Sequence, residues 1–200
     1  MAVSLTVTVT VKGLLGDTAV LVVAATDREL ALVHDADTFC CGIGPVEAAL
    51  QTARALASRR PGAVLHVGIA GARGLEPPAL VLGSESVYCD VIDPSSTLPR
   101  VERIEPDAEL LARVHEALPE AHLLPIGTCG RVGAGTACDV EAMEGFGVLR
   151  ACALAGVPAV ELRAISNAPG EADRGTWRFE DAFAALGDAV ARVLSTPPIR

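Results

Sequence analysis

The chain has 200 residues, of which 50% are hydrophobic, 20% charged and only 3% aromatic, and its formal net charge is −9. That suits one domain with a core of Ala, Val and Leu. The acidic balance argues against nucleic acid and anionic membrane as main partners, and no apolar run reaches the length of a membrane span.

Residues 3–11 alternate Val or Leu with Ser or Thr, the pattern of a strand with one apolar face. Residues 1–18 therefore read as an added edge strand or an N-terminal extension, and 19–200 as a single α/β domain. Ala19–Ala25 is a continuous apolar run, suited to a central parallel strand. The polar turn Thr26 to Leu30 enters a short helix. Phe39-Cys40-Cys41 predicts a short strand, and Gly42-Ile43-Gly44-Pro45 a sharp loop with Pro45 in the first turn of the next helix. That helix, Val46–Ala57, is rich in alanine. Ala63–Gly68 predicts a buried strand followed by a glycine loop, Ile69 to Gly74. Gly83–Val91 is a further strand, and residues 93–106 a polar loop. Asp107–Leu118 is helical, and Leu123–Gly127 is a strand that enters a Gly/Cys/Thr-rich loop over 128–138. A helix follows from Glu144 to Ala155, then an apolar strand from Val157 that ends in Arg163-Ala164-Ile165-Ser166-Asn167. Thr176–Leu194 is a final amphipathic helix.

Strands that alternate with helices imply an α/β fold: a mostly parallel or mixed central sheet flanked by helices in three layers. Cys40, Cys41, Cys89, Cys129, Cys138 and Cys152 include no C-x-x-C pair, so reduced thiols are expected, several of them buried. His34, His66, His115 and His122 lack metal spacing. Neither metal nor cofactor is expected. The N-terminus has no basic stretch before its apolar run, so the expected compartment is the cytoplasm.

The glycine loops carry neither the dinucleotide fingerprint nor a P-loop. Each alone reads as a tight turn. Their shared position at strand ends is where open α/β folds place ligands. Glu144 begins a helix, where a carboxylate ordinarily complements the dipole. Gly145 and Gly147 behind it cost helix stability and admit a close neighbour. Glu144, Glu29 and Asn167 are thus expected to face one space.

At these residues the chain resembles the purine nucleoside phosphorylase/nucleosidase family. The resemblance rests on Val140-Glu141-Ala142-Met143-Glu144-Gly145 with Arg163-Ala164-Ile165-Ser166-Asn167, and on Val20–Leu30, Cys41–Ala49 and Val67–Gly74 in the same order. It covers most of residues 19–194. Within the family the combination looks most like the branch that hydrolyses futalosine to hypoxanthine on a route to menaquinone. The resemblance implies a nucleoside phosphorylase-like fold, a small nucleoside as partner and a homo-oligomer, dimer or larger. It implies Glu29 as the water-activating carboxylate, Glu144 as the ribose-gripping one and Asn167 at the purine. Met143, Gly71, Ile69, Arg163 and Ser166 are implied to line or order the substrate site. Asn167 stands where adenosine-cleaving relatives carry Asp. An amide can accept from N7–H and donate to a 6-oxo group, which suits hypoxanthine. The segments 30–40 and 127–140 are short for the family, and Trp177 and Phe179 are candidates for the apolar surface that they leave out. Three alternatives stay open. They are a methylthioadenosine/S-adenosylhomocysteine nucleosidase, a phosphorylase with Arg73 or Arg28 near a phosphate, and a catalytically silent binding protein.

Overall fold

The computed structural model describes residues 19–196, apart from Ile92, Pro94 and Ala134. The strand or extension expected over 1–18 lies outside the described residues.

Among the described residues eight strands form one mixed sheet. They are β1 Val20–Ala24, β2 Asp37–Cys40, β3 Ala63–Ala72, β4 Leu80–Tyr88, β5 Arg103–Ile104, β6 His122–Thr128, β7 Val140–Ala142 and β8 Ala159–Asn167. The helices are α1 Asp27–Leu30, α2 Pro45–Arg59, α3 Ala108–Ala117, α4 Gly145–Ala155 and α5 Phe179–Ser195. β3 pairs in parallel with β8 along most of its length and antiparallel with β7 at its end. β8 pairs antiparallel with β4, β4 in parallel with β6, and β6 in parallel with β7. These five strands therefore close a ring, with β1 and β2 added beside β3 and β5 beside β4.

Alternation along β1 assigns the two faces. Val22 and Ala24 pack with Leu110 and Val114 of α3 and Leu186 and Val190 of α5. Leu21 and Val23 pack with Leu56 of α2 and Val148 and Leu149 of α4. A third cluster, Ala70, Val81, Ile126, Val140 and Ile165, joins strands of the ring. Small side chains set the spacing on the α2–α4 side. A Cβ added at Gly147 would stand 2.5 Å from Pro45 O and 3.2 Å from Ala49 N.

The structure departs from the sequence reading in four places. Ile69 to Ala72 is strand rather than loop, because its backbone groups pair with β8 and β7. β7 was not expected; it is three residues long and held only by β3 and β6. β5 lies within the expected polar loop. The last helix starts at Phe179, after a 3-10 turn at Arg174–Thr176 that Asp173 caps.

The close α2–α4 approach makes Gly147→Ala a test of the packing. Alanine improves helix propensity by under about 1 kcal/mol, but the added methyl meets rigid backbone. We expect a net loss of about 1–3 kcal/mol in urea unfolding.

Candidate active site

The C-terminal ends of β1, β3 and β8 and the start of α4 surround a cavity of about 490 Å³. That volume is within the usual range for a small-molecule site. Glu29, Glu144 and Asn167 all line it, with only 8%, 5% and 9% of their surfaces exposed. Met143, Gly71, Ile69 and Ser166 line it as well. Arg163, expected among the substrate-site residues, is not on the wall. It lies behind the wall, fully buried.

Glu29 is fixed by local structure. Thr26 caps α1 and forms a capping box with Glu29: Thr26 N–H and Oγ–H donate to Glu29 Oε2 at 3.0 and 2.8 Å, and Glu29 N–H donates back to Thr26 Oγ at 3.3 Å. Ile69 N–H donates to Oε1 at 3.1 Å. Three donors hold the carboxylate, which has about four acceptor positions, so Oε1 keeps capacity for one more partner.

Glu144 stands at the N-cap of α4 but does not cap the helix with its side chain. Instead Thr128 Oγ accepts from Phe146 N–H at 2.9 Å. That frees Glu144 to turn into the cavity, where Oε1 accepts from Gly44 N–H at 3.0 Å and Oε2 lies 3.8 Å from Arg163 Nη2. Burial pushes the Glu144 carboxyl above its ordinary range, and the Arg163 guanidinium and the Gly44 N–H pull it back.

Arg163 is the buried cation of the site. Its Nε donates to Glu161 Oε1 at 2.9 Å and its Nη2 to His66 Nε2 at 2.6 Å. Two glycines make the room. A Cβ at Gly68 would meet Arg163 Nη1 at 2.2 Å and Glu29 Oε1 at 2.7 Å, and one at Gly145 would meet Glu161 Oε2 at 2.1 Å. The glycines of the sequence motif therefore serve this ion layer.

At the far wall, Ser166 Oγ–H donates to Asn167 Oδ1 at 2.8 Å, and Asn167 Nδ2 donates to Ala168 O at 2.9 Å. One lone pair on Oδ1 and one N–H remain, an acceptor and a donor side by side. A Cβ at Gly71 would come within 3.1 Å of Nδ2, so glycine keeps the amide clear.

The sequence reading missed several wall residues. Cys129, Arg131, Val132 and Gly133 come from the loop after β6, Glu141 from β7, and Arg174 from the 3-10 turn. Phe183 joins Trp177 and Phe179 in the apolar part, and the ring centroids of Trp177 and Phe179 are 5.3 Å apart. Arg28 also reaches the cavity, but it pairs with Glu180 at 2.5 Å and covers the rings of Phe179 and Phe183. Arg73 is spent on Asp139, Glu141 and the carbonyls of Thr136 and Cys138. Burial, then the nearby Glu144 charge, pushes the Cys41 thiol up to about 12, which keeps it protonated and unreactive. Among the described residues no group of three or more His, Cys, Asp or Glu is placed to hold a metal ion, and no helix is long and apolar enough to cross a membrane.

Comparison with known proteins fits this geometry. The phosphorylase superfamily profile matches residues 10–138. The chain is 35% identical to futalosine hydrolase of Streptomyces coelicolor over 184 residues, 78% of this chain and 77% of that one. It is 34% identical to futalosine hydrolase of Thermus thermophilus over 185 residues, 77% and 79% of the two chains. Among solved structures, the 5'-methylthioadenosine/S-adenosyl homocysteine nucleosidase of Campylobacter jejuni superimposes with a TM-score of 0.74 at 20% identity, over 88% of this chain and 97% of that one. A futalosine hydrolase mutant of Helicobacter pylori does so with a TM-score of 0.72 at 20% identity, over 88% and 94%. These structural likenesses establish the nucleoside phosphorylase-like fold. With the family profile over more than half of the chain and relatives at about a third identity over most of it, the chain belongs to the phosphorylase superfamily.

Proposed function

We propose that the protein hydrolyses the N-glycosidic bond of futalosine, a 6-oxopurine nucleoside, and releases hypoxanthine. The observation that carries this reading is the convergence of Glu29, Glu144 and Asn167 on one cavity of nucleoside size. The identity with futalosine hydrolases supports the choice of substrate.

Each residue has a role that its surroundings suit. Loss of the purine leaves positive charge on the ribose ring. Glu144 accepts hydrogen bonds from the sugar hydroxyls, and its carboxylate favours that charge. Met143 packs on the sugar. Glu29 accepts a proton from the attacking water through its free acceptor position, and the water oxygen bonds to the anomeric carbon. The purine leaves with the bonding electron pair. A proton taken up from solvent at N7 neutralises it, the N7–H so formed donates to Asn167 Oδ1, and the 6-oxo group accepts from Nδ2. Ser166 fixes the amide through Oδ1, and Arg163 acts from behind the wall.

Water rather than phosphate as the attacking group is supported by the two arginines that a phosphorylase reading offers and by the hydrolase relatives. Arg73 and Arg28 are both engaged in ion pairs, so neither is free to cradle an anion. Homo-oligomer formation is part of the proposal: Ile43, which lines the cavity, and Val46 and Leu50 of α2 are exposed apolar side chains. Six free cysteines fit a reducing compartment such as the cytoplasm.

Incubation with futalosine in phosphate-free buffer is expected to release hypoxanthine, with no acceleration when phosphate is added. Phosphate-dependent release would mean a phosphorylase instead. Glu29→Gln is expected to lower kcat/KM by about 10²–10⁴-fold. Asn167→Asp should shift preference from 6-oxo toward 6-amino nucleosides in competition assays.

Glu144→Gln separates function from stability. A carboxyl held above its ordinary range stabilises the fold fully at low pH, and that contribution is lost as pH rises through the folded value. The variant is therefore expected to lose activity, yet to gain stability over the parent as pH rises above the ordinary carboxylate range, read as urea midpoints.

A further inference from the structure

A polar layer lies behind the cavity wall, and one of its members is His66 on β3, with no exposed surface. His66 Nδ1 is 3.0 Å from Val23 O of β1. A carbonyl only accepts, so Nδ1 carries the proton. His66 Nε2 is then a bare lone pair, 2.6 Å from Arg163 Nη2, which only donates. Burial, then the Arg163 charge, hold this imidazole well below its ordinary range, so it stays neutral.

The bond matters because Arg163 has a competing partner. Glu161 Oε2 and Arg163 Nη1 are both buried without a hydrogen-bond partner among the described residues. A guanidinium beside a carboxylate prefers a two-pronged pair. With Nη2 released, the guanidinium would turn about its axis onto both oxygens of Glu161. It would then draw away from Glu144 Oε2, now at 3.8 Å, and from Glu29 Oε1, which shares the space beside Gly68 with Nη1.

We propose that His66 is a positioning residue for the hydrolysis. Its Nε2 lone pair fixes the rotation of Arg163, so that one buried cation serves both Glu29 and Glu144. The kinetic consequence rests on the function proposed above, while the geometry does not. The charged and titratable groups that face this pair are Glu161 from β8, Glu144 from the start of α4, Glu29 from α1 and Cys41 after β2. Among them, Glu144 is the carboxylate that burial already favours in its protonated form. Loss of its counter-ion would make it harder to ionise.

Two variants and one spectrum test this. His66→Leu fills the space without an acceptor. It is expected to lower kcat/KM for futalosine by about 10–100-fold and to move the acid limb of the pH profile to higher pH. His66→Gln places an amide oxygen near the Nε2 position and is expected to keep most of the parental rate with the parental limb. A merely structural histidine would lower the melting temperature of both variants and leave the limb in place. That outcome, or parental kinetics in His66→Leu, overturns the proposal. On the unaltered protein, ¹⁵N NMR of the imidazole is expected to place the proton on Nδ1, and a proton on Nε2 overturns the proposal without reference to activity. Should the parent release no hypoxanthine, the functional reading fails, and the NMR result still decides the geometry.

Discussion

One buried guanidinium organises the site. Arg163 has no exposed surface, and within reach of its charge lie Glu161, Glu144 and Glu29. A buried carboxylate without a counter-ion is costly, and so is a buried cation with none. The layer is therefore stable only as a set, and its geometry is imposed on every member. β8 supplies Arg163 and Glu161 two residues apart, on the same face. β3 runs parallel beside it and supplies His66 opposite Glu161 and Gly68 opposite Arg163. The absent side chain at Gly68 lets the guanidinium approach, and the absent side chain at Gly145 admits the Glu161 carboxylate.

The closed ring of strands carries this layer to the cavity. β8 runs from the ion layer through a register shift at Ser166 to Asn167, so the cavity-facing amide and the buried cation share one strand. β3 does the same for Ile69, whose N–H holds Glu29, and for Gly71, beside Asn167. Glu29 belongs to a four-residue helix, too short to be stable alone. Its position is secured by the capping box and by β3 rather than by the helix. Glu144 is secured by the Gly44 N–H from the loop before α2, which ties the first half of the chain to the second.

Much of this is written in the sequence in legible form. The apolar runs locate β1, β3 and β8, and the Glu144-Gly-x-Gly and Arg-x-x-Ser-Asn motifs supply the residues that converge. What stays hidden has physical reasons. β7 has three residues, so no period can be counted, and its pairing partners are distant in sequence. Ile69 to Ala72 reads as loop because glycine marks turns more often than strands. Here the glycines serve close approach within a sheet. Thr26-x-x-Glu29 is a capping signature visible in the sequence, and it accounts for how Glu29 is held. His66 gives no signal at all: a histidine in an apolar strand shows its partner only once β3 and β8 are registered. The wall from 129–133 is equally silent, since loop conformation fixes which of its residues face inward.

The central claim is spatial: a sugar and a purine occupy the cavity in one orientation, the sugar at Glu144 and the base at Asn167. The most direct measurement is a crystal structure with a 6-oxopurine C-nucleoside, whose carbon–carbon glycosidic link resists hydrolysis. The account predicts ribose hydroxyls within about 3 Å of the Glu144 carboxylate and the purine N7 edge at the Asn167 amide. An analogue bound with its base toward Glu144, or bound outside this cavity, would contradict it.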